Sequence, residues 1–150
     1  MDTNKLFDML NWNCDEETQA KGKLLARQIS DFSVFLQPME FGSKAVWGNC
    51  AKILAEKTDD DLKPHLVGLL EWLQDINWPG AIIILDRLKS FSAEKIKEPL
   101  QSSVQQAINN QDNNWLDYLS KLLDNPELSK TLSEGCLSVL KKHCHNFGNS

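Results

Sequence analysis

A tryptophan that returns with the same neighbours constrains this chain more than any other feature. Asn11-Trp12, Asn77-Trp78 and Asn114-Trp115 are three Asn-Trp pairs, and Val46-Trp47 stands between the first two. Successive indoles in this series lie 35, 31 and 37 residues apart, and two of the pairs extend to Asp-x-Asn-Trp, beginning at Asp75 and Asp112. A period of this size is what stacked helical hairpins produce. One hairpin cannot bury its apolar face alone, so each unit repeats the joint that docks it on the next.

The residues after each tryptophan agree in kind. Trp47 is followed by Cys50, Ala51, Ile53 and Leu54, Trp78 by Ala81, Ile82, Ile84 and Leu85, and Trp115 by Tyr118, Leu119 and Leu122. Steps of three, four and seven lay one apolar stripe along a helix. Trp12 is followed at longer range by Ala20, Leu24 and Ile29, the degenerate pattern expected of an end unit. The intervening segments have helical period as well: Leu62, Leu66, Leu69, Leu70, Leu73 and Ile76; Ile96, Leu100, Val104, Ala107 and Ile108; Leu128, Leu132, Cys136, Val139, Leu140 and His143. Each predicts one helix. No segment alternates with period two, so no strand is expected.

Helix punctuation fits this plan. Asp59-Asp60-Asp61 places negative charge where a helix N-terminus favours it. Ser92 is positioned to cap the Ile96 segment, and Asn77 to cap the helix after Trp78. Pro64, Pro79 and Pro99 fall near helix starts, with Pro99 also able to split off a short turn. Asp75 can bond the turn backbone. Asn125-Pro126 interrupts the chain before the last helix, and Pro38 and Gly42-Ser43 mark an earlier connection. The expected fold is all-α: one domain over 1–150, a right-handed superhelix of about four hairpins, with 145–150 a fraying tail.

The units, with an Asp before the second helix, resemble HEAT-type α-solenoid repeats over residues 15–143. Such repeats often carry an arginine early in the second helix, paired with that Asp. Here Gly80 and Ala81, or Asp117 and Tyr118, hold that region, and Arg87 is a full helix away from Asp75. The stretch Leu69-Leu70-Glu71-Trp72-Leu73-Gln74-Asp75-Ile76-Asn77-Trp78-Pro79-Gly80-Ala81 resembles the signature of a small bacterial family, the domain of unknown function numbered 5071. That resemblance implies a helical, repeat-like fold and transfers no catalytic residues.

Charge narrows the function. The chain holds 16 basic and 21 acidic residues, for a net charge of -5, which argues against nucleic acid or an anionic membrane as partner. The longest apolar run, Ala81-Ile82-Ile83-Ile84-Leu85, is far too short to span a bilayer. Cys14, Cys50, Cys136 and Cys144 show no Cys-x-x-Cys spacing and no apolar leader precedes them, so reduced thiols and a cytoplasmic location are expected. His143 and His145 are two residues apart and point to different helix faces, so with Cys136 and Cys144 they do not form a metal set. The acidic clusters sit at helix starts, where the macrodipole accounts for them. The glycines are isolated, and no phosphate-cradling loop or other cofactor motif is present.

Two groups of residues remain as candidates for recognition. Glu71, Trp72, Gln74 and Asp75 form a patch at one rim, of which the Trp72-Gln74 part does not recur between units. Lys44, Lys52, Asp86, Arg87, Asp117 and Lys121 are the polar positions of the second helices. The expected function is a non-enzymatic module that binds another protein, as a monomer or homodimer, with a bacterial immunity or antitoxin role masking a basic partner. The alternatives are a helical-repeat enzyme acting on nucleic acid and a structural, self-associating subunit.

Overall fold

The computed structural model describes residues 3–38 and 43–144. Among these, all regular structure is helical. The tail expected at 145–150, with His145, and Gly42 in the connection before Trp47 lie outside the described residues. The α-helices are α1 (Thr3–Met9), α2 (Glu16–Ala26), α3 (Trp47–Ala55), α4 (Asp59–Leu62), α5 (Leu66–Glu71), α6 (Ala81–Lys89), α7 (Ala93–Asn109), α8 (Asn113–Ser120), α9 (Pro126–Thr131) and α10 (Glu134–Cys144).

These helices pack as two layers. In one, α3 lies against α6, α6 against the 3₁₀ turn Lys121–Asp124 that continues α8, and α8 against α10. In the other, α5 lies against α7 and α7 against α9. The α7–α8 hairpin joins the layers, and the 3₁₀ turn Trp72–Gln74 at the end of α5 packs on both α6 and α8. The core runs along the seam. Trp72, Trp115, Phe7, Phe35 and Phe91 are its largest fully buried side chains.

Two segments expected as single helices are broken. Over 62–76 the chain forms α4, the 3₁₀ turn Lys63–His65, α5 and the turn Trp72–Gln74. Pro64 has no N–H to continue an i→i−4 ladder, so the chain tightens there. Over 128–143 the break falls at Leu132, whose ψ of 151° is extended. Ser133 then starts a new helix, its Oγ accepting from Cys136 N–H at 3.3 Å. Pro99 lies within an unbroken α7. It forgoes one backbone bond and splits off no separate turn.

At the N-terminal end, the stripe expected on α2 is misplaced. Leu24 is exposed, while Gly22 and Ala26 are the buried residues of that helix. Trp12 also faces outward, at 55% exposure. The hairpin is attached through a polar contact that periodicity does not reveal. Asn49 of α3 is buried and donates through Nδ2 to Leu10 O at 2.8 Å and to Gln19 Oε1 at 2.9 Å. Gln19 in turn donates to Cys14 O at 2.6 Å.

The α7–α8 turn closes as a Schellman motif, with Asp112 N–H on Ala107 O at 2.9 Å and Gln111 N–H on Ile108 O at 3.0 Å. The left-handed position falls on Gln111, φ 55°. Glycine or asparagine is the usual signal there, so the sequence does not announce this turn.

Candidate functional site

The turn between α5 and α6 carries the Asp-x-Asn-Trp motif in its fullest form. Asp75 Oδ1 accepts from Asn77 N–H at 2.9 Å, and Asp75 O accepts from Trp78 N–H at 3.0 Å. Asp75 therefore bonds the turn backbone as expected. Asn77 does not cap the helix and is exposed. The cap position belongs to Gly80, in the left-handed region at φ 85°. Pro79 likewise precedes α6 rather than lying in its first turn. In the second copy of the motif, Asp112 Oδ1 accepts from Trp115 N–H at 3.0 Å and caps α8 directly. The motif does two jobs because α8 starts right after its Asp, whereas α6 starts six residues after Asp75.

Three of the tryptophans meet where the two layers join. Trp47 packs edge-on against Trp72 and Trp78, with ring centroids 6.1 and 5.7 Å apart. The three most buried indoles all spend their N–H on a carbonyl elsewhere: Trp47 on Pro38 at 2.8 Å, Trp72 on Pro79 at 3.0 Å and Trp115 on Leu70 at 3.0 Å. Each combines a large apolar contact with a directional bond, which fixes the docking angle of its helix. Lys44 Nζ lies 5.9 Å from the Trp47 ring and 6.0 Å from the Trp78 ring, at the limit of a cation–π contact.

A second joint links α4, α6 and α7. Arg87 donates to Asp59 Oδ1 at 2.7 Å and to Lys57 O at 2.9 Å, and its guanidinium stands 5.3 Å from the Phe91 ring. The other oxygen of Asp59 accepts from Ser92 N–H at 3.0 Å. Ser92 is the cap residue of α7, but its hydroxyl makes no cap bond. The carboxylate of Asp59 thus serves two helix ends at once. Burial pushes the Asp59 carboxyl up, yet the bonds from Arg87 and Ser92 and the charges of Arg87 and Lys95 outweigh it and hold the group below its usual range.

The lowered pKa makes this joint acid-sensitive. Its stabilisation is whole above the ordinary carboxyl value of 3.8 and drains as the pH falls through the lower folded value. Asp59→Asn is expected to lose about 2 kcal/mol at pH 7, the scale of charged hydrogen bonds. Below pH 4 the variant should lose stability less steeply than the parent. Urea denaturation at pH 7, 5 and 3 measures both, and parallel pH profiles would refute the assignment.

The residues singled out for recognition fall into different settings. Trp72 is fully buried and cannot touch a partner. Arg87 is committed to Asp59, with 15% of its side chain exposed. Asp117 bonds His143 Nδ1 at 2.6 Å, both side chains being mostly covered. Glu71 and Asp86 are exposed, and Gln74, Asp75 and Lys121 half-buried. Asp86 lies 4.0 Å from Lys89, which also reaches Asp124 at 3.1 Å. Ile82, one turn before Asp86 on α6, is 60% exposed. The sequence reading missed Asp59 as the partner of Arg87, since nothing distinguishes it from Asp60 and Asp61. It also missed Asn49.

The four cysteines are free thiols. Burial pushes the Cys50 thiol up to about 12, so it stays protonated and inert. Cys136 is raised in the same way. Among the described residues no helix is long and apolar enough to cross a membrane.

Fold and joints together define an all-helical protein in which Arg87 and Asp117, two polar side chains that looked available for recognition, instead tie helix to helix. The chain belongs to the family described as domain of unknown function (DUF5071), whose model matches residues 48–146. The match begins one residue after Trp47 and contains both Asp-x-Asn-Trp turns. No curated protein and no solved structure matches the chain.

Proposed function

We propose that this protein is a non-enzymatic binding module for another protein, built as a HEAT-like right-handed superhelix of about four hairpins. The two-layer order supports the solenoid reading, with α3, α6, α8 and α10 on one side and α5, α7 and α9 on the other. The observation that carries the binding reading is what remains at the surface once the joints are made. Glu71, Asp86 and Asp61 stay exposed on a chain of net charge -5, with Ile82 beside Asp86. Such an acidic surface suits a basic protein, as in a bacterial immunity or antitoxin pair acting in the cytoplasm, because complementary charge speeds encounter.

The test is co-expression with the products of adjacent genes, followed by association kinetics of any captured basic protein at increasing salt. The association rate should fall steeply with ionic strength. Glu71→Lys combined with Asp86→Lys should slow it about tenfold, with an unchanged melting temperature. A rate indifferent to salt and to charge reversal, or no basic protein captured, would defeat the proposal.

A further inference from the structure

We propose that α10 is a separately opening flap, held shut at its C-terminal end by a clasp between Asp117 and His143. Its apolar attachment is thin. Of its 11 residues Leu140 alone is buried, whereas the nine-residue α3 buries six and the nine-residue α6 buries four. Cys136, Leu137 and Val139 are only partly covered. On its α7 side runs a groove of about 430 Å³, lined by Gln101, Val104, Gln105, Ile108, Cys136 and Val139. The helix is therefore underpacked along one flank, and dispersion contacts are missing where a packed core would supply them.

Polar contacts hold the two ends. At the start, Ser133 N–H reaches Gln101 Oε1 at 2.9 Å. At the finish, His143 Nδ1 and Asp117 Oδ1 are 2.6 Å apart, with 18% and 17% of their side chains exposed. Cys144 adds a weak S–H contact to Ser120 O at 3.4 Å. A short contact between two mostly covered side chains, one of them a carboxylate, outweighs an exposed pair because water competes less for it. It stands at the end of a helix with one buried residue in 11, and a sparsely buried helix is where sub-global opening begins. Opening leaves α3, α5, α6 and α7 packed and uncovers the seat of Leu140, extending the adjoining groove into a longer apolar surface that the closed form hides.

Native-state hydrogen exchange on the full chain tests this. The amides of α10 are expected to exchange at least a hundredfold faster than the slowest amides of α3 and α6, with little dependence on low denaturant. His143→Ala should speed α10 exchange about tenfold further, the scale of one charged hydrogen bond, and leave α3 and α6 unchanged. His143→Ala and Asp117→Ala together should speed α10 exchange by less than the product of their separate effects, because the two side chains share one contact. Exchange of α10 in step with α3 and α6 would overturn the proposal, as would additive effects of the two substitutions.

Discussion

Gly80→Ala destabilises the protein by about 3 kcal/mol. Two independent causes add. Gly80 sits at φ 85°, where a β-carbon costs about 1–2 kcal/mol. A Cβ there would also lie 2.6 Å from Ala51 Cβ, 2.9 Å from Trp47 O and 3.1 Å from Trp72 Cζ2. The first two neighbours belong to α3, so α6 would have to move off the helix it packs on, and forced overpacking costs about 1–3 kcal/mol. Gly48 supplies the control. It lies in α3, and a Cβ on it would meet nothing within 4 Å. Gly48→Ala should be neutral or stabilising by up to about 1 kcal/mol. The double change Gly80→Ala with Ala51→Gly should recover only the share owed to the 2.6 Å contact. Urea midpoints of the four proteins decide the matter, and equal midpoints for Gly80→Ala and Gly48→Ala would show that α6 does not close on α3 through this glycine.

Trp72→Ala is the other large effect, expected to cost about 3–5 kcal/mol as a big core aromatic cut to a methyl. Against a total stability of about 5–15 kcal/mol, that leaves the protein marginal. The loss includes the edge-on contact with Trp47 and the bond from Nε1 to Pro79 O. Trp72→Phe retains part of the filling and leaves the Pro79 carbonyl without its indole donor, so it should fall between the parent and the alanine variant. Trp12→Ala, at an indole 55% exposed, should cost less than about 1 kcal/mol. Chemical denaturation with intrinsic fluorescence as the signal reads all three. A Trp12 variant as damaged as the Trp72 variant would mean that the indoles share one role, which their burial contradicts.

The tryptophan series located the joints but misjudged what they do. Trp47 and Trp115 begin or nearly begin their helices, whereas Trp78 lies in the turn before α6 and Trp12 is exposed in the first turn. Trp72, outside the series and set aside as a recognition residue, proved to be the deepest of the cluster. A recurring motif reveals that a joint exists; which ring fills it depends on where each helix starts, and a shift of a few residues turns an indole by a large angle. Asp59 teaches the same lesson for charge. Its two neighbours share its chemistry and its helix start, and only the approach of Arg87 and the α7 terminus across more than 25 residues of chain singles it out.

Sequence alone determined that this chain is helical, that apolar stripes repeat at about one hairpin's length, and that its family is the one carrying the Trp72 to Pro79 block. Those properties are local: they follow from spacing along the chain and from the side chains at turns. Only the tertiary structure decided that Arg87 reaches Asp59, that His143 reaches Asp117, and that Trp72 lies inside. These depend on which surfaces meet, and burial converts an available polar or aromatic group into a structural bond by removing the water that would otherwise compete for it.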